Sequence, residues 1–159
     1  MDIREANQSD IPRISDIYQA CFPRERDHRV WVEATFNAAP RCIYYVIEQD
    51  GAPAGYILWC VKNGFRKNTI AELEQIGVHP DHTRKGLARK LIDTSFAKFK
   101  KHISDRGYAV GAIFVTTSEG HFAEDLYIST LEVSRSAVIS DYGNGNEVIL
   151  YRKMLPRDE

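Results

Sequence analysis

The residues of this chain best suited to chemistry lie between Ala71 and Ile92, in "AELEQIGVHPDHTRKGLARKLI". If "AELEQIGV" is a strand, its side chains alternate. Glu72, Glu74, Ile76 and Val78 then share one face, and Leu73, Gln75 and Gly77 the other. Two carboxylates on one strand face suit proton handling, because an amine is protonated at neutral pH and cannot attack until a base takes that proton. The next residues, Thr83, Arg84, Lys85 and Gly86, concentrate positive charge where a helix begins. The helix dipole disfavours cations there, so the turn reads as a seat for something negative. Unsatisfied helix-start amides, a glycine that permits close approach, and Arg84, Lys85 and Arg89 together suit a phosphate or pyrophosphate. Neither G-x-x-x-x-G-K-[ST] nor G-x-G-x-x-G is present.

The elements that must position these groups follow from the periodicities. "DIREA" reads as a first strand. "SDIPRISDIYQACFP" reads as a helix capped by Ser9 or Asp10, with Pro12 in its first turn and Pro23 closing it. A second helix is expected over about 30–38. "CIYYVIEQDGAPAGYILWCV" is two strands joined at Asp50-Gly51. From Gly86 a helical period runs through Ala88, Leu91, Ile92, Ser95, Phe96, Phe99 and Ile103. "YAVGAIFVTT" is a strand, "EGHFAEDLYISTL" a helix, and the chain ends in a hairpin around Gly143–Gly145. The expectation is one mixed α/β domain over 1–159.

Composition fits that expectation. The 159 residues are 43% hydrophobic and 27% charged, with a formal net charge of −1, which argues against a dedicated nucleic-acid binder. Cys21, Cys42 and Cys60 form no C-x-x-C and no Cys/His run, so they read as small core residues, with no metal expected. The N-terminus is polar, and no apolar run approaches the roughly 20 residues that span a bilayer. A cytoplasmic protein without a membrane partner is expected.

The stretch from Ala71 to Ile92 resembles the acyl-CoA-binding motif of the GNAT superfamily of N-acetyltransferases. There a strand ending in a V-x-P turn leads into [QR]-x-x-G-x-[GA] and a long helix. The order strand, two helices, three strands, helix, strand, helix, final strands is similar across the whole length. The resemblance implies the GNAT fold, an α/β (α+β) single domain with a mixed sheet of about six or seven strands and about four helices. It implies acetyl-CoA as co-substrate, with Thr83, Arg84, Lys85, Gly86, Leu87 and Ala88 forming the pyrophosphate loop, the amides of Arg84 to Ala88 around the diphosphate, and Arg84, Lys85 or Arg89 adding charge or reaching the 3′-phosphate. It further implies backbone pairing of Ile76, Gly77 and Val78 with the pantetheine arm, and a Val78 amide that polarises the thioester. Glu72 falls where several members place their general base, with Glu74 second, and Tyr127 matches the tyrosine that protonates the departing thiolate. Three positions depart from the family: Thr83 replaces Gln or Arg, Gly120 replaces a common Asn, and "LEVSR" replaces the Gly-Phe after the tyrosine helix.

The expected activity is direct acetyl transfer to the amine of a small molecule or peptide, with a homodimer possible. The alternative is a catalytically inactive GNAT-like module that senses acyl-CoA or scaffolds a partner. Plainer readings stand beside the functional ones: a solvated acidic strand for Glu72 and Glu74, and a core tyrosine for Tyr127. "FPRERDHR" falls where the family borders its acceptor site.

Overall fold

The computed structural model describes residues 1–156. Its elements are β1 (Ile3–Glu5), α1 (Ile11–Cys21), α2 (His28–Phe36), β2 (Cys42–Gln49), β3 (Ala52–Lys62) and β4 (Asn68–Val78). There follow α3 (Leu87–Asp105), β5 (Ala109–Ser118), α4 (Ala123–Leu131), β6 (Ser134–Tyr142) and β7 (Gly145–Lys153). The strands form one seven-stranded sheet in the order β1-β2-β3-β4-β5-β7-β6. It is mixed: β4 and β5 run parallel, whereas β1–β2, β2–β3, β5–β7 and β6–β7 are antiparallel. Two compact units result, one of residues 1–60 and 75–99, the other of 61–74 and 100 onward.

In the first unit the apolar stripe of α1 buries Ile14 and Ile17 in a cluster with Tyr44, Val46, Tyr56 and Leu58. The helix is preceded by a single 3-10 turn capped by Asn7, whose side chain accepts from Ser9 N–H. The Asp10 carboxylate accepts from Asn7 N–H at 2.8 Å and closes a capping box on this turn, while Asp10, one of the two caps expected, is itself the N-cap residue of α1, without a side-chain cap bond. Asp50 and Gly51 both have positive φ, 55° and 82°, as a two-residue hairpin turn requires. On α3, Leu87, Leu91, Ile92 and Phe99 are buried. Ser95 belongs in that stripe because its hydroxyl accepts the Trp59 indole N–H at 2.8 Å. The second helix, expected over 30–38, begins two residues earlier, at His28.

In the second unit, Asn68–Glu72 of β4 pairs with Ala109–Phe114 of β5. The register ends at Glu72↔Phe114, although β4 runs on to Val78 and β5 to Ser118. Val110, Ile113, Val115, Val148, Leu150, Leu131 and Tyr127 are buried. The last helix starts at Ala123 rather than Glu119. Gly120 takes a left-handed φ of 82°, and the His121 ring accepts from Ala123 N–H at 3.1 Å. Strand β6 is exposed along its whole length. No helix among the described residues is long and apolar enough to cross a membrane.

Candidate active site

The basic turn opens with a 3-10 turn, Pro80–His82, and Thr83 closes it by donating its hydroxyl to the Pro80 carbonyl at 3.0 Å. Arg84 and Gly86 then adopt positive φ, 64° and 72°. Alternation of this kind turns successive amides toward one side and makes an anion-binding concavity. A Cβ on Gly86 would meet nothing within 4 Å, so the glycine serves backbone conformation rather than space. The first helical bond outside the element is Lys90 N–H to Gly86 C=O at 3.2 Å, so the amides of Leu87 and Ala88 precede it. Thr83, Arg84, Lys85, Gly86 and Arg89 are exposed, Ala88 is half-buried, and Leu87 is the buried residue that anchors the helix start. His79 and His82 flank the turn with ring centroids 6.1 Å apart. Nδ1 of His82 is buried without a hydrogen-bond partner among the described residues.

Just upstream, the end of β4 is fixed by close packing. A side chain on Gly77 would approach Tyr56 Cε1 at 2.8 Å and Cys21 Sγ at 3.3 Å. Tyr56 is fully buried and donates its hydroxyl to Gln75 Oε1 at 2.6 Å. Burial pushes the Tyr56 phenol well above the usual tyrosine range, so it stays a neutral donor. The Cys21 thiol donates to the Val78 carbonyl at 3.3 Å, and burial raises its pKa. His79 N–H donates to the Ala54 carbonyl at 2.8 Å, continuing the strand into the turn. Gly55 lies against Gly77: its Cβ would come within 3.0 Å of the Gly77 oxygen. The contacts of Tyr56, Cys21 and Gly55 with the end of β4 escaped sequence reasoning, because strand alternation says which residues share a face but not which neighbouring residues press on it.

Burial on β4 confirms the alternation: Thr69, Ala71, Leu73 and Gly77 are buried, and Glu72, Ile76 and Val78 half-buried. Glu74, on the Glu72 face, is exposed. Lys62 Nζ lies 3.5 Å from Glu72 and 4.5 Å from the centroid of the Phe114 ring. The two glutamates are therefore unlike: one half-buried beside an ammonium, the other open to water. Tyr127 is 6% exposed on α4, and burial pushes its pKa up to about 12. Its hydroxyl holds its proton through neutral and moderately alkaline pH. Ile76, Gly77, Val78 and the turn belong to the first unit, and Glu72, Glu74 and Tyr127 to the second.

Gly120 and the end of α4 account for two of the family departures. Gly120 has φ 82° and open space around it, a conformation that Asn tolerates better than most residues. Glu132 caps α4 with φ 56°, where glycine is the unstrained choice, and Arg152 pairs with its carboxylate at 3.1 Å. Tyr44, Tyr45, Tyr56 and Trp59 are buried on the sheet, and none of the three cysteines forms a disulfide.

A family model described as acetyltransferase (GNAT) family matches residues 11–131, a stretch that runs through both units. The L-amino acid N-acyltransferase MnaT of Escherichia coli (strain K12) is 31% identical over 106 residues, covering 58% of this chain and 59% of that protein. The match thus spans less than two thirds of that curated relative. Among solved structures, the ribosomal-protein-S18-alanine N-acetyltransferase from Escherichia coli superposes with TM-score 0.77 at 21% identity, over 99% of this chain and 96% of that one. YncA from Salmonella typhimurium, a putative acetyltransferase solved with its cofactor acetyl-CoA, gives TM-score 0.70 at 20% identity, over 100% and 96%. At such identities the likeness is one of fold.

Proposed function

Because this chain belongs to the acetyltransferase (GNAT) family, we propose that it transfers an acetyl group from acetyl-CoA to a primary amine by direct attack in a ternary complex. The observation that carries this reading is the turn Thr83–Gly86, exposed and twice left-handed, leading into the amides that open α3. These residues suit a diphosphate: Arg84, Lys85 and Arg89 are exposed beside the amides that open α3, and a Cβ on Gly86 would meet nothing within 4 Å. Arg84 to Ala88 hold the diphosphate through their amides, and Arg84, Lys85 or Arg89 supplies charge. Ile76 to Val78 bind the pantetheine arm through their backbone, on a strand that Tyr56 and Cys21 hold in place.

Acetyl-CoA supplies an activated acyl carbon, and the protein supplies proton transfers and charge stabilisation. Glu72 accepts the proton of the incoming ammonium, directly or through water, with Glu74 as the other carboxylate on that face. The Val78 N–H stabilises the oxyanion that develops on the acyl oxygen. Tyr127 gives its proton to the departing sulfur, which suits a phenol kept neutral by burial. Attack is direct, since no cysteine occupies a motif position for a covalent acyl-enzyme.

The test is Tyr127→Phe, with turnover and acetyl-CoA affinity measured separately. A fall in kcat of about a hundredfold with an unchanged Kd is expected of a lost general acid. Equal turnover removes Tyr127 from the mechanism. Glu72→Gln beside Glu74→Gln then identifies the base, the larger loss being expected at Glu72.

A further inference from the structure

Taken singly, Cys42 and Cys60 are small core residues, but the sheet brings them together. Strands β2 and β3 are antiparallel, and their register is unbroken from Cys42↔Cys60 through Tyr44↔Leu58 to Val46↔Tyr56. Residues directly opposite in such a pair place their side chains on one face. Here it is the face that α1 covers, since all six belong to one cluster with Ile14 and Ile17. The sulfur atoms of Cys42 and Cys60 lie within 4.8 Å of each other, and the structure holds them without a disulfide.

The backbone spacing suits a covalent bond. Opposed residues of an antiparallel pair have Cα atoms about 4.5 or 5.5 Å apart, depending on whether they exchange hydrogen bonds. Both values fall inside the roughly 4.4–6.8 Å that a disulfide spans, so side-chain rotation can close the bond without moving the strands. The pair also sits where solvent can reach it. Cys42 is the first residue of β2 and is 8% exposed, while Cys60, near the end of β3, is 3% exposed. Leu58 and Trp59, further along β3, are fully buried. This is the open end of the hairpin, opposite Asp50-Gly51, where strand ends open most readily and a molecule as small as hydrogen peroxide can enter. Cys21 is placed differently. Its sulfur packs at Gly77 beside Tyr56, a residue four positions before Cys60 on β3, roughly 13 Å away at strand rise.

We propose that Cys42 and Cys60 are a site of reversible covalent modification, oxidised by hydrogen peroxide to an intramolecular disulfide across β2 and β3. The Cys42 thiolate, on the more exposed of the two residues, attacks one peroxide oxygen. The O–O bond breaks, Cys42 becomes a sulfenic acid, and the departing hydroxide takes up the thiol proton as water. The Cys60 sulfur then attacks the Cys42 sulfur, the S–S bond forms, and the second oxygen leaves as water. Two thiols are oxidised to one disulfide, and one peroxide is reduced to two waters. The first step requires a thiolate, so the rate rises with pH. The bond locks the β2–β3 hairpin at its open end. None of this depends on the acyltransferase reading, and its failure would leave that reading untouched.

The test treats the full-length protein with hydrogen peroxide, in buffer and separately in urea, then alkylates it and maps its peptides by mass spectrometry. In buffer, wild type is expected to lose two hydrogens and to yield peptides joined through Cys42 and Cys60, with Cys21 outside the link. Dithiothreitol should restore the starting mass. In urea the link should scatter over all three cysteines, because only the fold selects this pair. The oxidised protein should unfold roughly 5–10 °C higher than the reduced one. Cys21→Ser should form the link as fast as wild type, and Cys42→Ser and Cys60→Ser should form none. Those last two variants alter the core, so the wild-type map and Cys21→Ser carry the test. Cys42 and Cys60 that remain alkylatable after peroxide treatment, a link through Cys21 or between molecules, or the same mixture of pairings in buffer as in urea overturns the proposal.

Discussion

The Tyr56 hydroxyl donates to Gln75 Oε1 at 2.6 Å, and the same ring occupies the space that a side chain on Gly77 would need. One buried tyrosine thus sets both the height and the composition of the strand end that precedes the basic turn. Gly77→Ala would place a methyl 2.8 Å from Tyr56 Cε1, and the fully buried ring has no free volume into which to retreat. The variant is expected to lose about 1–3 kcal/mol of stability by overpacking. Acetyl-CoA binding, read by calorimetry, should weaken about tenfold as the strand edge shifts. A normal Kd in a destabilised Gly77→Ala would separate this packing from ligand binding.

Ser95 tests the core beneath α3. The Trp59 indole N–H and the Ser95 hydroxyl are both fully buried and bonded at 2.8 Å, with Trp59 stacked on Phe99. Ser95→Ala leaves the N–H without that acceptor, at a cost of about 1–3 kcal/mol. Thermal unfolding should shift down by roughly 3–10 °C. Since the serine lies away from the basic turn, acetyl-CoA affinity at 25 °C should be unchanged.

Asp10 carries the pH dependence. Arg4 donates to both of its oxygens, at 2.7 and 3.0 Å, and holds the carboxyl below its ordinary value, with Asn7 N–H adding to the effect and burial opposing it. A depressed pKa contributes stability that is complete above the unfolded-state value near 4 and is lost as pH falls through the folded one. Asp10→Asn should therefore cost about 1.5–3 kcal/mol at pH 7. In urea unfolding at a series of pH values, the gap between the two proteins should close as the wild-type carboxyl protonates. A gap independent of pH would assign the loss to the capping box instead of the charge.

Much of this molecule is legible in its sequence, for identifiable reasons. The Asp50-Gly51 hairpin, the alternation of β4 and the period of α3 are local properties, carried by residues adjacent in the chain. Helix boundaries were less legible where a side chain decides them: a 3-10 turn capped by Asn7 precedes α1, and His121 with Gly120 delays α4. Least legible were contacts between residues distant in sequence. Neither the pressure of Tyr56 on Gly77 nor the approach of Cys42 to Cys60 has any local signature. Thr83, a departure from the family pattern, acquires a use only in the fold, where its hydroxyl closes the turn onto Pro80.

The central claim is amine-dependent acyl transfer, and the most direct measurement is release of free CoA thiol from acetyl-CoA across a panel of primary amines. Product amide should be quantified by mass spectrometry in the same reactions. The account predicts thiol release that requires an amine, saturates with it, and matches N-acetylated product one for one. Tight acetyl-CoA binding with no amine-dependent release would contradict it, and would point to a module that senses acyl-CoA without using it.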